Sequence, residues 1–236
     1  MNRLHKEILK QIQDHSDKPT KHTFLNSYLG TSHPRYAITV PALRKIAKTW
    51  MTNHPSLSAT ELSLLLTRLI KGDSSTEKCM AGILLDYSTP EQRKFNPKIF
   101  NTWLNELEGW AEVDTLCTGR YSETEIPSQW ETWKPLLIRF SKSKNIQKRR
   151  ASIVLLCSPL LKVTDERMAN FALQNALQLA HEKDILITKA LSWVLRSMVK
   201  RHRRLLERFM VQHKSKLPKI AVRETLTKLK TGKKTK

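Results

Sequence analysis

An all-α fold of stacked helix pairs is what the 236-residue sequence predicts. Three features predict it. Apolar residues recur at helical spacing from end to end. Period-two alternation between turn residues is nearly absent. Helix start and stop signals punctuate the chain at short intervals.

Taken in order, the elements follow from those signals. The first helix is expected over Arg3 to Asp14 and a second over Lys21 to Leu29, with Gly30 as its stop. The next run from Ala42 to Asn53 and from Ala59 to Lys71. Ser58 and Glu61 have capping-box spacing at the start of the latter, and Gly72 closes it. Helices over Thr76 to Tyr87 and Pro97 to Leu107 come next, the second opened by Asn96 as cap and Pro97 in the first turn. Ala111 to Gly119 precedes the one long connection, Arg120 to Ser128. Ser128 and Glu131 repeat the capping-box spacing before a helix over Gln129 to Ser141. The remaining helices are expected over Ile146 to Leu156, Asp165 to His181, Ile185 to Val199, Arg203 to His213 and Ile220 to Leu229. Short polar links between helices of this length are those of an α-solenoid. No strict repeat is visible, as in diverged HEAT-like helical repeats that keep only an apolar face and a length. Residues 1–229 form a single domain in this reading, and 230–236 a lysine-rich tail expected to be disordered.

Charge speaks to partners. Lys and Arg total 42 against 21 acidic residues, a formal net charge of +21 and a pI near 10.1. A polyanion is the natural partner, because every phosphate neutralised releases counterions. A membrane surface fits poorly: no apolar run approaches the roughly 18 residues of a spanning helix, and the N-terminus lacks the apolar stretch of a signal peptide. A cytoplasmic protein, associated with the nucleoid when bound to DNA, is expected. Cys79, Cys117 and Cys157 form no CxxC pair and are read as reduced, partly buried thiols. The eight histidines form no metal-ligand set, and the six glycines build no phosphate-cradling loop. Neither metal nor cofactor is expected.

The positive charge is clustered. Arg139 to Arg150 holds six basic residues and no acidic one, and Arg196 to Lys216 holds eight against the single Glu207. Arg44, Lys45 and Lys48 form a smaller patch. On a curved array these clusters fall on one concave face, where phosphates would be held. The residues read as DNA contacts are Arg44, Lys45, Lys48, Lys148, Arg149, Lys189, Arg196, Arg201, Arg203 and Arg204. Any one of them read alone is a solvated surface charge; the clusters together favour an anionic partner.

Four segments carry a resemblance. They are "ITVPALRKIAK" from Ile38 to Lys48, "GWAEVDTLC" from Gly109 to Cys117, "QKRRASIVLL" from Gln147 to Leu156 and "ITKALSWVLRSM" from Ile187 to Met198. In order and rough separation they resemble the DNA alkylation repair family of HEAT-like, AlkD-like glycosylases. The resemblance implies a right-handed superhelix whose basic concave surface grips duplex DNA. It also implies excision of cationic N3- or N7-alkylated purines such as 3-methyladenine and 7-methylguanine, for base excision repair, without a pocket for an extruded base.

Trp110 and Asp114 are four residues apart, so a helix puts them on one face. Alone, that arrangement reads as a half-buried tryptophan beside a surface aspartate; the resemblance makes Asp114 the catalytic carboxylate. An alkylated purine already carries a positive charge and leaves as a neutral base without a general acid. The cation that builds on the sugar needs a fixed anion and an oriented water. An arginine would hold that carboxylate ionised, and the family register places Arg150 there, with the adjacent Arg149 as the alternative. Trp110 and Trp193 match the family's two flanking aromatics, although Trp193 also reads as a core residue. The partner implied is duplex DNA bearing alkylated bases, with the protein acting as a monomer. A DNA- or RNA-binding scaffold without chemistry, or an adaptor for an acidic protein, would share the charge but not the need for Asp114.

Overall fold

The structure, a computed structural model, describes residues 3–16 and 29–233. Among the described residues it is all-helical, with fourteen α-helices, two 3₁₀ turns and no strand. The helix expected over Lys21 to Leu29 lies outside the described residues apart from Leu29, as do the last three residues of the tail. The described residues fall into two compact units, one up to residue 121 and the other from 122 onward.

In the first unit, helix Ser75–Tyr87 is the hub. It packs against Val40–Asn53, Ala59–Ile70 and Gly109–Cys117, and all but three of its thirteen residues are buried. Two capping boxes fix helix starts here. The predicted one joins Ser58 and Glu61; a second, unpredicted, joins Ser74 and Glu77 and starts the hub helix. Each satisfies two amides that the first turn leaves without partners. Asn96 caps as expected, its side chain accepting from the Lys98 N–H at 3.0 Å. The segment behind it is shorter than predicted, a 3₁₀ turn Pro97–Ile99 followed by helix Phe100–Trp103. Beyond it the chain unwinds through i to i+3 bonds from Asn105 to Thr102 and from Glu106 to Trp103.

The second unit is built around Ile185–Met198, which packs against Ile146–Val154, Cys157–Lys162, Glu166–Leu179 and Lys219–Thr231. Two expectations are corrected along this half of the chain. Arg120 to Ser128 is a helix, not a loop, with Pro127 near its end, where the missing N–H costs one bond and the ring disturbs no following turn. Ser128 therefore cannot cap the next helix: its hydroxyl donates to the Glu125 carbonyl at 3.2 Å, and Gln129 stands at the cap without a side-chain bond. A helix Cys157–Lys162 was also not predicted. Its Pro159 lies in the first turn, where proline is tolerated.

The cores are apolar and rich in aromatics. Trp50, Trp103 and Trp133 are fully buried and Trp130 nearly so, with Trp103 Nε1 donating to Thr67 Oγ1 at 2.8 Å. No helix among the described residues is long and apolar enough to cross a membrane.

Candidate functional site

Helix Gly109–Cys117 carries two of the predicted residues. Gly109 begins it at φ +70, and a Cβ there would run into the backbone of Leu29 and Gly30. Gly82, on the hub helix, lies so close to the Thr115 carbonyl that a side chain would collide with main chain. Glycine is thus what lets the two helices approach. Val113, Leu116 and Cys117 are buried on the inner face. Trp110 and Asp114 are each half-buried, one turn apart, as the spacing predicts.

That helix also carries a carboxylate that the sequence reading missed. Glu112 is fully buried. It accepts from Thr31 Oγ1 at 2.8 Å, from His33 Nδ1 at 3.0 Å and from the Glu108 N–H at 2.7 Å. Glu108 in turn accepts from the Ser32 N–H at 2.8 Å and hydroxyl at 2.6 Å. Its partial burial favours the protonated acid, but the Ser32 bonds outweigh this and hold its carboxyl below the usual range. Just beyond the helix, at the start of Arg120–Ser128, Asp86 accepts from the Arg120 N–H at 2.8 Å and from Arg44 at 3.1 Å. Cys79 sits behind the helix; burial, then the charges of Glu112 and Asp114, push its thiol up to about 12. All three cysteines are free thiols.

In the second unit, Arg149 and Arg150 sit side by side on helix Ile146–Val154 with different surroundings. Arg149 forms a two-pronged pair with Glu182, Nε to Oε1 at 2.7 Å and NH2 to Oε2 at 3.0 Å. Its NH1 donates to the carbonyls of Ser143 and Lys144, both at 2.9 Å. Arg150 is buried and donates to the Leu186 carbonyl, at the start of the helix that bears Trp193. Of the six tryptophans, only Trp110 and Trp193 keep partial exposure.

The cations read as DNA contacts divide into two groups. Lys45, Lys48, Lys189, Arg201 and Arg204 are exposed. The others are engaged or buried. Arg44 meets Asp86, and although partial burial works against its charge, hydrogen bonds to Tyr87 and Asp86 outweigh it and raise its pKa. Arg196 lies 3.3 Å from Glu224, which also accepts from the Ser192 hydroxyl at 2.5 Å. Arg203 pairs with Glu207 at 2.8 Å and donates to the Leu229 carbonyl. Lys148 is buried, and burial first, then Arg139, pulls its pKa down.

Two clefts open on the surface. One of about 420 Å³ is lined by residues including His5, Tyr36 and Glu77, and one of about 410 Å³ by residues including Lys142, Arg149 and Glu182. Neither is lined by Trp110, Asp114, Arg150 or Trp193. No cluster of three or more potential metal ligands occurs among the described residues.

Taken together these features define an all-helical, strongly basic protein with two surface tryptophans, one of them a turn away from an aspartate. The sequence matches the family model of the DNA alkylation repair enzyme over residues 8–229, and the chain belongs to that family. Membership ties the protein to the repair of alkylated DNA. The fold is similar to that of a solved chain described as a "predicted DNA alkylation repair enzyme from Enterococcus faecalis". That similarity covers 91% of this chain and all of the other, with a TM-score of 0.69 at 14% identity. No curated protein sequence gives a significant match.

Proposed function

We propose that the protein is an AlkD-like DNA glycosylase that hydrolyses the N-glycosidic bond of cationic N3- and N7-alkylated purines in duplex DNA. The exposure of the tryptophans carries this reading. Four of the six are core residues, while Trp110 and Trp193 reach the surface. An indole face attracts cations and packs on sugar CH groups, which suits a part-exposed tryptophan to a cationic nucleotide. Asp114, half-buried one turn from Trp110, supplies the anion.

In the reaction the C1′–N bond breaks with both electrons going to the base, which cancels its positive charge. A water oxygen bonds to C1′, and its proton passes through the Asp114 carboxylate to solvent. The fixed carboxylate stabilises the sugar cation between these events. Of the two neighbouring arginines, Arg149 is committed to Glu182 and two carbonyls. The family resemblance gives Arg150 the role of holding Asp114 ionised. Phosphate contacts are assigned to the exposed cations Lys45, Lys48, Lys189, Arg201 and Arg204. The base stays stacked and no pocket receives it, so discrimination comes from the charge and lability of the lesion. The protein acts as a monomer in the cytoplasm, on the nucleoid.

Release of free base from duplexes carrying 7-methylguanine, 3-methyladenine or O6-methylguanine tests this reading. The first two should be released and the neutral O6 adduct retained. Binding of all three duplexes without release of any base would favour a non-catalytic scaffold.

A further inference from the structure

A buried carboxylate two residues from the proposed catalytic one calls for a physical reason. Glu112 is fully buried, and removing an ionised carboxylate from water is costly even when it is paired. An apolar residue in its place would pack against the hub helix at no such cost. What the carboxylate supplies instead is direction. Apolar packing through Val113, Leu116 and Cys117 resists separation of the helix from its neighbours but only weakly resists rotation about its axis. Bonds from Thr31 and His33, which lie outside the helix, to one of its side chains resist rotation strongly.

The wiring is specific to one segment. Thr31 and His33 bond to Glu112, and Ser32 bonds to Glu108 at the helix cap. Beyond the far end of that helix, at the start of helix Arg120–Ser128, Asp86 joins the Arg120 N–H to Arg44, and Arg44 lies on the helix that follows residues 31–39. The start of the nine-residue helix is thus referred to residues 31–33, and the exposed cations Lys45 and Lys48 stand on the helix that follows them.

We propose that Glu112 is a positioning residue for Asp114: its bonds to Thr31 and His33 fix the rotation of helix Gly109–Cys117 about its axis, and with it the placement of the catalytic carboxylate. The proposal rests on the glycosylase reading. It does not make Glu112 a catalytic residue, since a buried side chain on the inner face touches no substrate. Fine placement matters here because stabilisation of the sugar cation falls steeply once the anion is displaced by an ångström.

The test compares wild type, Glu112→Gln and Thr31→Val as full chains. Glutamine keeps the volume but points an amide N–H₂ or a single acceptor where two oxygens are needed, and it places a donor against the Glu108 N–H. Three quantities are read: single-turnover release of 7-methylguanine at saturating enzyme, Kd for the same duplex, and amide hydrogen exchange. For Glu112→Gln the release rate should fall at least about tenfold with Kd within about twofold of wild type. Exchange should accelerate in residues 109–117 and 31–36 and stay unchanged in Ile185–Met198. Thr31→Val, which preserves shape and removes the hydroxyl's bonds to Glu112 and to His33, should move rate and exchange the same way by less, and it carries the test if Glu112→Gln does not fold. An unchanged saturating rate in a folded variant overturns the proposal, as does a loss of rate that comes entirely through Kd. If wild type releases no base, the glycosylase reading falls by itself. Exchange then still decides the clamp: faster exchange confined to 109–117 and 31–36 supports it, and unaltered exchange overturns it.

Discussion

Arg149 and Glu182 lock together through two parallel hydrogen bonds of 2.7 and 3.0 Å, tying helix Ile146–Val154 to the turn that follows Glu166–Leu179. The pair separates two adjacent arginines that look interchangeable in the sequence. Arg149 braces two elements through Glu182, while Arg150 is buried and donates to the Leu186 carbonyl.

Arg149→Ala should therefore act on stability first. It leaves the Glu182 carboxylate, whose side chain is 14% exposed, without its countercharge and strips a donor from two carbonyls. About 3 kcal/mol is expected for a pair this far from solvent, or a fall in Tm of about 6 to 12 °C for a chain of this size. Arg150→Ala should lower base release by far more than it lowers duplex affinity. Thermal melts and release rates on the two variants check the contrast.

Gly82→Ala should destabilise despite alanine's better helix propensity of about 1 kcal/mol. Its Cβ would meet the Thr115 carbonyl, which is main chain and cannot rotate away. A net cost of about 1 to 3 kcal/mol follows from overpacking. Because the displaced element is helix Gly109–Cys117, release should fall along with Tm, and both can be read from one purified variant.

Duplex affinity should fall steeply with salt, with a slope of log K against log [salt] of about −4 or steeper, since each phosphate contact contributes about −0.9. Substituting Lys45, Lys48, Lys189, Arg201 or Arg204, all exposed, should each flatten the slope by about one. Substituting Arg196, which is engaged with Glu224, should leave the slope unchanged. Titrations at several salt concentrations separate the two groups.

Acid should weaken the fold in two stages. Burial pulls the His202 pKa below its usual 6.5, the bond to the Val163 carbonyl only partly restoring it. The unfolded chain then takes up a proton that the folded one refuses. Stability from this group is present above pH 6.5 and declines as pH falls below it. Glu77 acts lower. Burial disfavours its charge, but the bonds from His5 and Ser74 outweigh this and depress its pKa below 4.5, so its contribution holds above that pH and is lost beneath it. Melts across pH should show both limbs, and His202→Gln should flatten the upper one alone.

Much of this was legible in the sequence wherever the signal was local. The Ser58 and Glu61 box and the Asn96 cap are short-range chemistry and stand where expected. Trp110 and Asp114 needed only helical spacing to share a face. The two short helices that were not expected, Arg120–Ser128 and Cys157–Lys162, each contain a proline, at the end of one and in the first turn of the other. Glu112 could not be found locally, because its burial depends on Thr31 and His33, about eighty residues earlier. Likewise nothing near Arg149 announces Glu182, 33 residues on. The reach-back from Glu112 to the Glu108 amide, four residues earlier, was the one nearby sign of the clamp.

The proposed chemistry turns on a single carboxylate, Asp114. The most direct measurement is single-turnover release of 7-methylguanine from a methylated duplex by wild type and by Asp114→Asn, with both shown to bind that duplex equally. The asparagine keeps the shape and removes the charge, so release should fall by about a hundredfold or more. Equal release by the two proteins would contradict the account.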